Sequence, residues 1–113
     1  MTEAIIRIPC PSMRLIKEVV ADEFGVTLLD LESERRHQPL ARARQVVMYL
    51  ARYMTRLSLP QIGRHLGDRD HTTVMYGIRQ ITRLMNEDGA FATKIRLMMD
   101  ALSRPAPFTV IAA

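Results

Sequence analysis

Residues 58–85 restrict the fold most, because two helical patterns follow each other with only a short turn between them. Ser58 and Gln61 have the spacing of a capping box, and Gly67 is placed to end the short helix that they begin. Asp70 is a suitable N-cap for a second helix. The inner side of that second helix consists of apolar residues at helical spacing, namely Val74, Ile78, Ile81 and Met85. The spacing therefore predicts a helix-turn-helix.

Three further amphipathic patterns predict that the rest of the chain is helical as well. The first helix is expected to begin after Ser12 and to end at Gly25. The second runs from Pro39 to Thr55, since proline suits a first helical position and apolar residues then recur on one face. The third is indicated by apolar residues at helical spacing, namely Phe91, Ile95, Met98 and Leu102. We therefore expect an all-α fold.

The 113 residues correspond to one domain, and 48% hydrophobic residues are enough for a packed core. We predict an irregular segment over residues 1–11, a helical domain over residues 12–103 and an apolar tail over residues 104–113. A short turn, with one helical turn from Asp30, is expected to lead to a basic stretch at residues 34–38. With Cys10 as its only cysteine and no long apolar run, the chain is expected to be cytoplasmic, without a disulfide or a membrane span.

The net charge of +4 conceals an uneven distribution along the chain. Residues 1–34 carry three basic and seven acidic side chains, whereas residues 35–83 carry ten basic and two acidic ones. The remaining residues carry three of each. Fourteen of the sixteen cations are arginines, whose planar guanidinium suits phosphates and base edges. The central segment favours binding to nucleic acid, although a basic, merely solvated face is the open alternative.

The second helix of the helix-turn-helix has a polar outer side that could enter a DNA groove. Short polar residues lie in its first turn, and recognition helices use their N-terminal residues to contact bases. The alternative is that these residues only cap the helix, because helical hairpins are common in all-α domains. The outer side comprises Thr72, Thr73, Tyr76, Gln80 and Arg83, with Arg69 and His71 at its start.

No pattern for catalysis is recognised. No glycine is followed by lysine, which excludes a phosphate-binding P-loop, and the three histidines lack the paired spacing of metal ligands. The acidic residues of the first helix are expected on a solvated face, where nothing would raise a carboxyl pKa for acid–base chemistry. We therefore expect no enzyme, no cofactor and no metal site.

The run from Ser58 to Val74, SLPQIGRHLGDRDHTTV, closely resembles the signature of the C-terminal DNA-binding domain of DnaA, the bacterial replication initiator. The upstream run ARARQVVMYLAR, residues 41–52, is similar to the basic helix of that family. The resemblance extends over about residues 13–102. It implies a compact, TrpR-like helical domain that binds an asymmetric double-stranded box of the TTATCCACA type as a monomer. No counterpart of the initiator's ATPase and oligomerisation domains is recognised, so we expect a stand-alone domain associated with the nucleoid.

The resemblance also implies roles for individual residues. Arg36 would enter the minor groove, and the base edges of the major groove would be contacted by Asp70, His71 and Thr72. A second group would lie along the phosphates or frame the groove, namely Arg44, Gln45, Arg52, Leu59, Pro60, Arg69 and Thr73. The chemistry fits, because a carboxylate accepts from cytosine N4, a threonine methyl meets a thymine methyl, and arginine favours a narrow A·T minor groove.

The chain departs from the family pattern at three places. Asp68 stands where the family usually has a second glycine, Glu34 stands near a position that is often basic, and Tyr76-Gly77 replaces a small or histidine-type pair. Asp68 is expected to weaken DNA binding or to alter the preferred sequence. The alternative to DNA binding is a protein-interaction module that regulates the initiator through DnaA itself or another replication-control protein, using the acidic first helix, the Met98-Met99 region or the tail.

Overall fold

The computed structural model describes residues 10–103, and this part of the chain folds into six helices without a strand. The all-α prediction is confirmed. Most of the predicted irregular segment, residues 1–9, and the predicted apolar tail, residues 104–113, lie outside the described part. The helices are α1 (Met13–Phe24), α2 (Leu28–Glu32), α3 (Gln38–Met54), α4 (Leu59–His65), α5 (His71–Glu87) and α6 (Gly89–Ser103).

The predicted ends of α1 are confirmed, whereas the start of α2 differs from the prediction. Ser12 Oγ accepts from the Leu15 amide, and Gly25 ends α1 with a φ of 68°. The α2 helix begins at Leu28 instead of Asp30, because Thr27 and Asp30 form a reciprocal capping box. Asp30 therefore closes the cap as the third residue of α2.

The α3 helix is the centre of the domain and packs against each of the other five helices. It begins at Gln38, one residue before the predicted Pro39, and ends at Met54. The side chains of Leu40, Val47 and Leu50 are fully buried in the core. Gly77 of α5 lets the two longest helices approach closely, because a Cβ at this position would overlap with the sulfur of Met48.

The α4–α5 pair forms the predicted helix-turn-helix, and its first cap is the predicted capping box. Ser58 Oγ accepts from the Gln61 amide at 3.2 Å, and Gln61 Oε1 accepts from the Ser58 amide at 2.8 Å. The turn packs against α4 so tightly that a Cβ at Gly63 would overlap with the Arg69 carbonyl oxygen. The Arg69 amide donates to the Gly63 carbonyl at 2.9 Å, which fixes the turn on the helix.

Two polar side chains position the remaining helices. Lys17, which is 8% exposed on α1, donates to Glu32 at the end of α2 and to the His65 carbonyl at the end of α4. Asp88 separates α5 from α6, and its carboxylate caps the first turn of α6. The apolar pattern of the sequence is interrupted over residues 86–90, whereas the structure leaves only Asp88 between the two helices. Among residues 10–103, no helix has the length and apolar character that a membrane span requires.

Candidate nucleic-acid interface

Three segments surround an open cleft of about 710 Å³ on one side of the domain. They are the α2–α3 loop (residues 33–37), the N-terminal half of α3, and the α4–α5 turn with the start of α5. Five residues from the predicted site line this cleft together, namely Arg36, Arg44, Gln45, Arg69 and Thr73. The cleft is cationic by a small margin, because three arginines in its lining face two carboxylates, Glu34 and Asp68.

The N-terminus of α5 presents three of the predicted base-contacting residues to solvent. Asp70, His71 and Thr72 are all exposed. Asp70 is the N-cap residue, as predicted, but its carboxylate does not cap the backbone and instead accepts a hydrogen bond from the Thr72 hydroxyl. This bond lowers the pKa of Asp70 below its ordinary value. At neutral pH the residue is a carboxylate, which accepts hydrogen bonds from base amino groups.

Arg36, the fourth predicted base-contacting residue, is on the α2–α3 loop. Its side chain is exposed and lines the cleft, so it can reach a ligand outside the domain. Arg36 also acts electrostatically inside the cleft, because its charge contributes to lowering the pKa values of Arg44 and Arg69. The geometry thus brings a loop arginine and a helix N-terminus to the same side of the protein.

Arg44 is at the base of the cleft and is directed inward. Only 4% of the residue is exposed, and its guanidinium donates to four backbone carbonyl oxygens of α2 and the α2–α3 loop. Nε donates to Leu31 at 2.8 Å, Nη1 donates to Arg35, and Nη2 donates to Asp30 at 2.8 Å and to Ser33 at 2.7 Å. Burial lowers the Arg44 pKa to about 10, helped by the neighbouring cations Arg69 and Arg36. Arg44 stays charged at neutral pH and contributes to the cleft through the loop that it holds.

Arg69 connects the same loop to the helix-turn-helix. Its Nη2 donates to the Ser33 carbonyl at 2.8 Å, and its Nη1 donates to the Leu66 carbonyl at the end of α4. Burial lowers the pKa of Arg69, and the charge of Arg36 lowers it further. The Ser33 carbonyl therefore accepts from both Arg44 and Arg69.

The other predicted residues extend the surface around the cleft. Gln45 accepts from Arg42 Nη1 at 2.7 Å and is half-buried, whereas Arg52, about two helical turns further along α3, is exposed. Leu59 and Pro60 form the first turn of α4, outside the cleft lining, where Pro60 is exposed. Thr73 is exposed and lines the cleft.

Tyr76, which the sequence places on the outer side of α5 without a specific DNA contact, lines the cleft and is 56% exposed. The spacing indicates this position, because Tyr76 is one helical turn beyond Thr72 and Thr73 on the same side of the helix. The sequence does not indicate the role of Ser33, because Ser33 binds the two arginines through its backbone carbonyl and every residue has one.

The chain matches the family model described as the bacterial dnaA protein helix-turn-helix over residues 13–81. It is also similar to curated proteins named chromosomal replication initiator protein DnaA. The identity is 46% over 83 residues with the protein from Gluconobacter oxydans (strain 621H), covering 74% of this chain and 17% of that protein. It is 46% over 88 residues with the Anaplasma marginale (strain St. Maries) protein, covering 78% and 19%, and 43% over 89 residues with that of Francisella tularensis subsp. novicida (strain U112), covering 79% and 18%.

The family match covers the helices that form the cleft. The family match begins at the first residue of α1 and extends to Ile81 in α5, so it includes the α2–α3 loop, α3 and the helix-turn-helix. The chain spans less than a fifth of the length of each of these relatives. The chain belongs to the family of the bacterial DnaA helix-turn-helix, the DNA-binding domain of the replication initiator.

Proposed function

We propose that the protein binds double-stranded DNA at sites resembling the DnaA box, and that it modulates replication initiation or transcription by occupying them. The observation that carries this proposal is the arrangement of two exposed groups beside one cationic cleft. Asp70, His71 and Thr72 begin α5, and Arg36 projects from the α2–α3 loop. A helix N-terminus suits the major groove, and an arginine on a nearby loop suits an adjacent A·T-rich minor groove.

The chemistry of the α5 N-terminus supports contacts with bases in particular. The Asp70 carboxylate can accept from the amino group of cytosine, and Thr72 can contact a thymine methyl group. Because the Thr72 hydroxyl donates to Asp70, the two side chains are held together before DNA arrives. Arg52, Gln45 and Thr73 are available for phosphates around these contacts. The proposed activity needs no nucleotide hydrolysis, since contacts of this kind suffice for site recognition.

A duplex titration by fluorescence anisotropy tests this function. One labelled duplex carries a TTATCCACA box, a second carries the same base pairs in shuffled order, and both are titrated at two salt concentrations. We expect tighter binding to the box, and we expect Arg36→Ala and Thr72→Ala each to weaken box binding by about 1–3 kcal/mol. Equal affinity for the two duplexes would refute sequence-specific binding. Absence of binding to either would favour the alternative predicted from the sequence, an interaction with a replication-control protein.

A further inference from the structure

The α2–α3 loop carries Arg36, but it contains no regular structure that would hold this side chain in place. Its carbonyl oxygens are instead bound by arginines from two other elements. Arg44 of α3 binds the carbonyls of Ser33 and Arg35 within the loop and those of Leu31 and Asp30 just before it. A buried guanidinium with four carbonyl partners is a strong restraint, because each of these bonds involves a charged donor.

The second restraint comes from the helix-turn-helix itself. Arg69 is in the α4–α5 turn, immediately before Asp70, and it binds the Ser33 carbonyl that Arg44 also binds. The turn is in contact with the end of α2 as well, since a Cβ at Gly67 would overlap with the Glu32 carbonyl oxygen. The start of α5 and the loop with Arg36 are therefore joined through one carbonyl group.

This arrangement is costly in the isolated protein. Arg36, Arg44 and Arg69 carry like charges around one cleft, and burial together with their mutual repulsion lowers the pKa values of Arg44 and Arg69. Core packing alone would not favour two partly desolvated guanidinium groups side by side. The two guanidinium groups fix the α2–α3 loop relative to α5. This fixed geometry is the benefit that offsets their cost.

We propose that Arg44 and Arg69 are positioning residues, which hold Arg36 at a fixed distance from the α5 N-terminus so that minor-groove and major-groove contacts form together. This inference rests on the proposed function, and it differs from the role that the family resemblance implies for both arginines, which would lie along the phosphates or frame the groove. Specificity then depends on residues that contact no base. Lysine cannot replace either arginine. Its ammonium group has three donors on one nitrogen, whereas a guanidinium has five donors on three nitrogens and can bind separate carbonyls at the same time.

The first test isolates minor-groove recognition. Individual A·T pairs of the box are replaced by G·C or by inosine·C, which lacks the guanine amino group and so differs from G·C only in the minor groove. For the wild type we expect about tenfold preference for inosine·C over G·C at the contacted pair, the cost of one wrong base pair. Arg36→Ala should abolish this preference, and Arg44→Lys should abolish most of it although Arg36 is intact. Arg14→Lys, on exposed α1, is the matched control and should keep the full preference.

The second test measures the loop without DNA. Trypsin cleaves after Arg35 and Arg36, and this cleavage requires the carbonyl groups of the loop to leave their guanidinium partners. We expect Arg44→Lys to accelerate cleavage at these two bonds at least about threefold, as expected when local opening controls proteolysis, with Arg14→Lys unchanged. Arg69→Lys loses only one contact with the loop, that with the Ser33 carbonyl, so it should accelerate cleavage less. It replaces Arg44→Lys in this test if the Arg44→Lys protein does not fold.

The two tests separate this inference from the proposed function. If the wild type does not prefer the box, the proposed function fails, and the trypsin rates still decide whether the arginines hold the loop. Unchanged trypsin cleavage in the folded arginine variants would overturn the positioning role, as would a folded Arg44→Lys protein that keeps the full preference for inosine·C. Faster cleavage together with lost minor-groove preference supports it.

Discussion

Gly67 and Asp68 form the turn between α4 and α5, and both have positive φ angles, of 80° and 60°. Glycine adopts this conformation freely, whereas a side chain with a Cβ is strained there, less so for aspartate and asparagine than for other residues. The family resemblance indicates a second glycine at position 68, and the backbone geometry gives the physical reason for it. The chain accommodates Asp68 at a conformational cost and places a carboxylate in the cationic cleft.

Substitutions at Asp68 should separate this conformational cost from the effect of its charge. Asp68→Gly is expected to raise the free energy of unfolding by about 0.5–1 kcal/mol, because relief of the left-handed strain exceeds the added entropy of the unfolded chain. Asp68→Asn tolerates the same φ without the charge, so stability should change little while box affinity rises roughly twofold to fivefold. Chemical denaturation and the duplex titration measure the two quantities. If Asp68→Asn binds no more tightly, the carboxylate does not affect the DNA contacts.

At the scale of secondary-structure elements, close packing of the turn on α4 distinguishes this helix-turn-helix from a flexible hairpin. Gly63 is a helical residue, and alanine would be favoured there in an isolated helix by up to about 1 kcal/mol. Its position facing the Arg69 carbonyl reverses this preference, because a Cβ has no space. The turn that contains Arg69 is therefore held against α4 by contact as well as by hydrogen bonding.

Two glycine-to-alanine substitutions should have effects of opposite sign on stability. Gly63→Ala is expected to lower the free energy of unfolding by about 1–3 kcal/mol, because the new methyl group displaces the turn. Gly89→Ala is the matched control, since Gly89 begins α6 and its Cβ would meet open space. The control should be neutral or more stable by up to about 1 kcal/mol. Thermal denaturation followed by circular dichroism gives both values, and a neutral Gly63→Ala would show that the turn can move without cost.

The elements that could be predicted from the sequence are those whose signals are local. Ser12, Gly25 and the Ser58–Gln61 capping box act within one helical turn, so their residue types and spacing were sufficient. The sequence predicts the start of α2 two residues late, because Asp30 resembles the beginning of a helical turn, whereas the N-cap is Thr27. Every one of these signals is independent of the remainder of the fold.

Contacts between elements distant in sequence could not be predicted in this way. Lys17 lies among apolar residues of α1, and its partners, Glu32 and the His65 carbonyl, are 15 and 48 residues away. The family resemblance implies that Arg44 lies along the phosphates or frames the groove, whereas the structure buries it against α2 and the loop. Arg44 binds four backbone carbonyls and Lys17 binds one beside the Glu32 carboxylate, and a backbone carbonyl has no signature in residue identity. The candidate site residues are predicted through the family resemblance, and the structure gives their mutual arrangement.

At the scale of the whole molecule, the uneven charge along the chain becomes an uneven charge across the folded domain. The cleft and its surroundings are built from residues 34–76, within which most of the excess arginine lies. Two carboxylates of α1 form ion pairs away from the cleft, Glu18 with Arg14 and Glu23 with Lys94 of α6, and no α1 residue lines the cleft. The arrangement of the cations, more than the net charge of +4, is expected to control association with DNA.

The salt dependence of binding tests this expectation with two substitutions that change the net charge equally. Each phosphate neutralised by a cation adds about 0.9 to the slope of log K against log salt concentration. Arg52→Gln removes an exposed cation on the cleft side of α3, so the slope should fall by about one and the box and shuffled duplexes should lose affinity equally. Arg14→Gln removes an exposed cation from α1 and should leave the slope unchanged, because it lies outside the proposed surface. Equal slopes for the two variants would mean that net charge alone, without an oriented surface, accounts for the attraction to DNA.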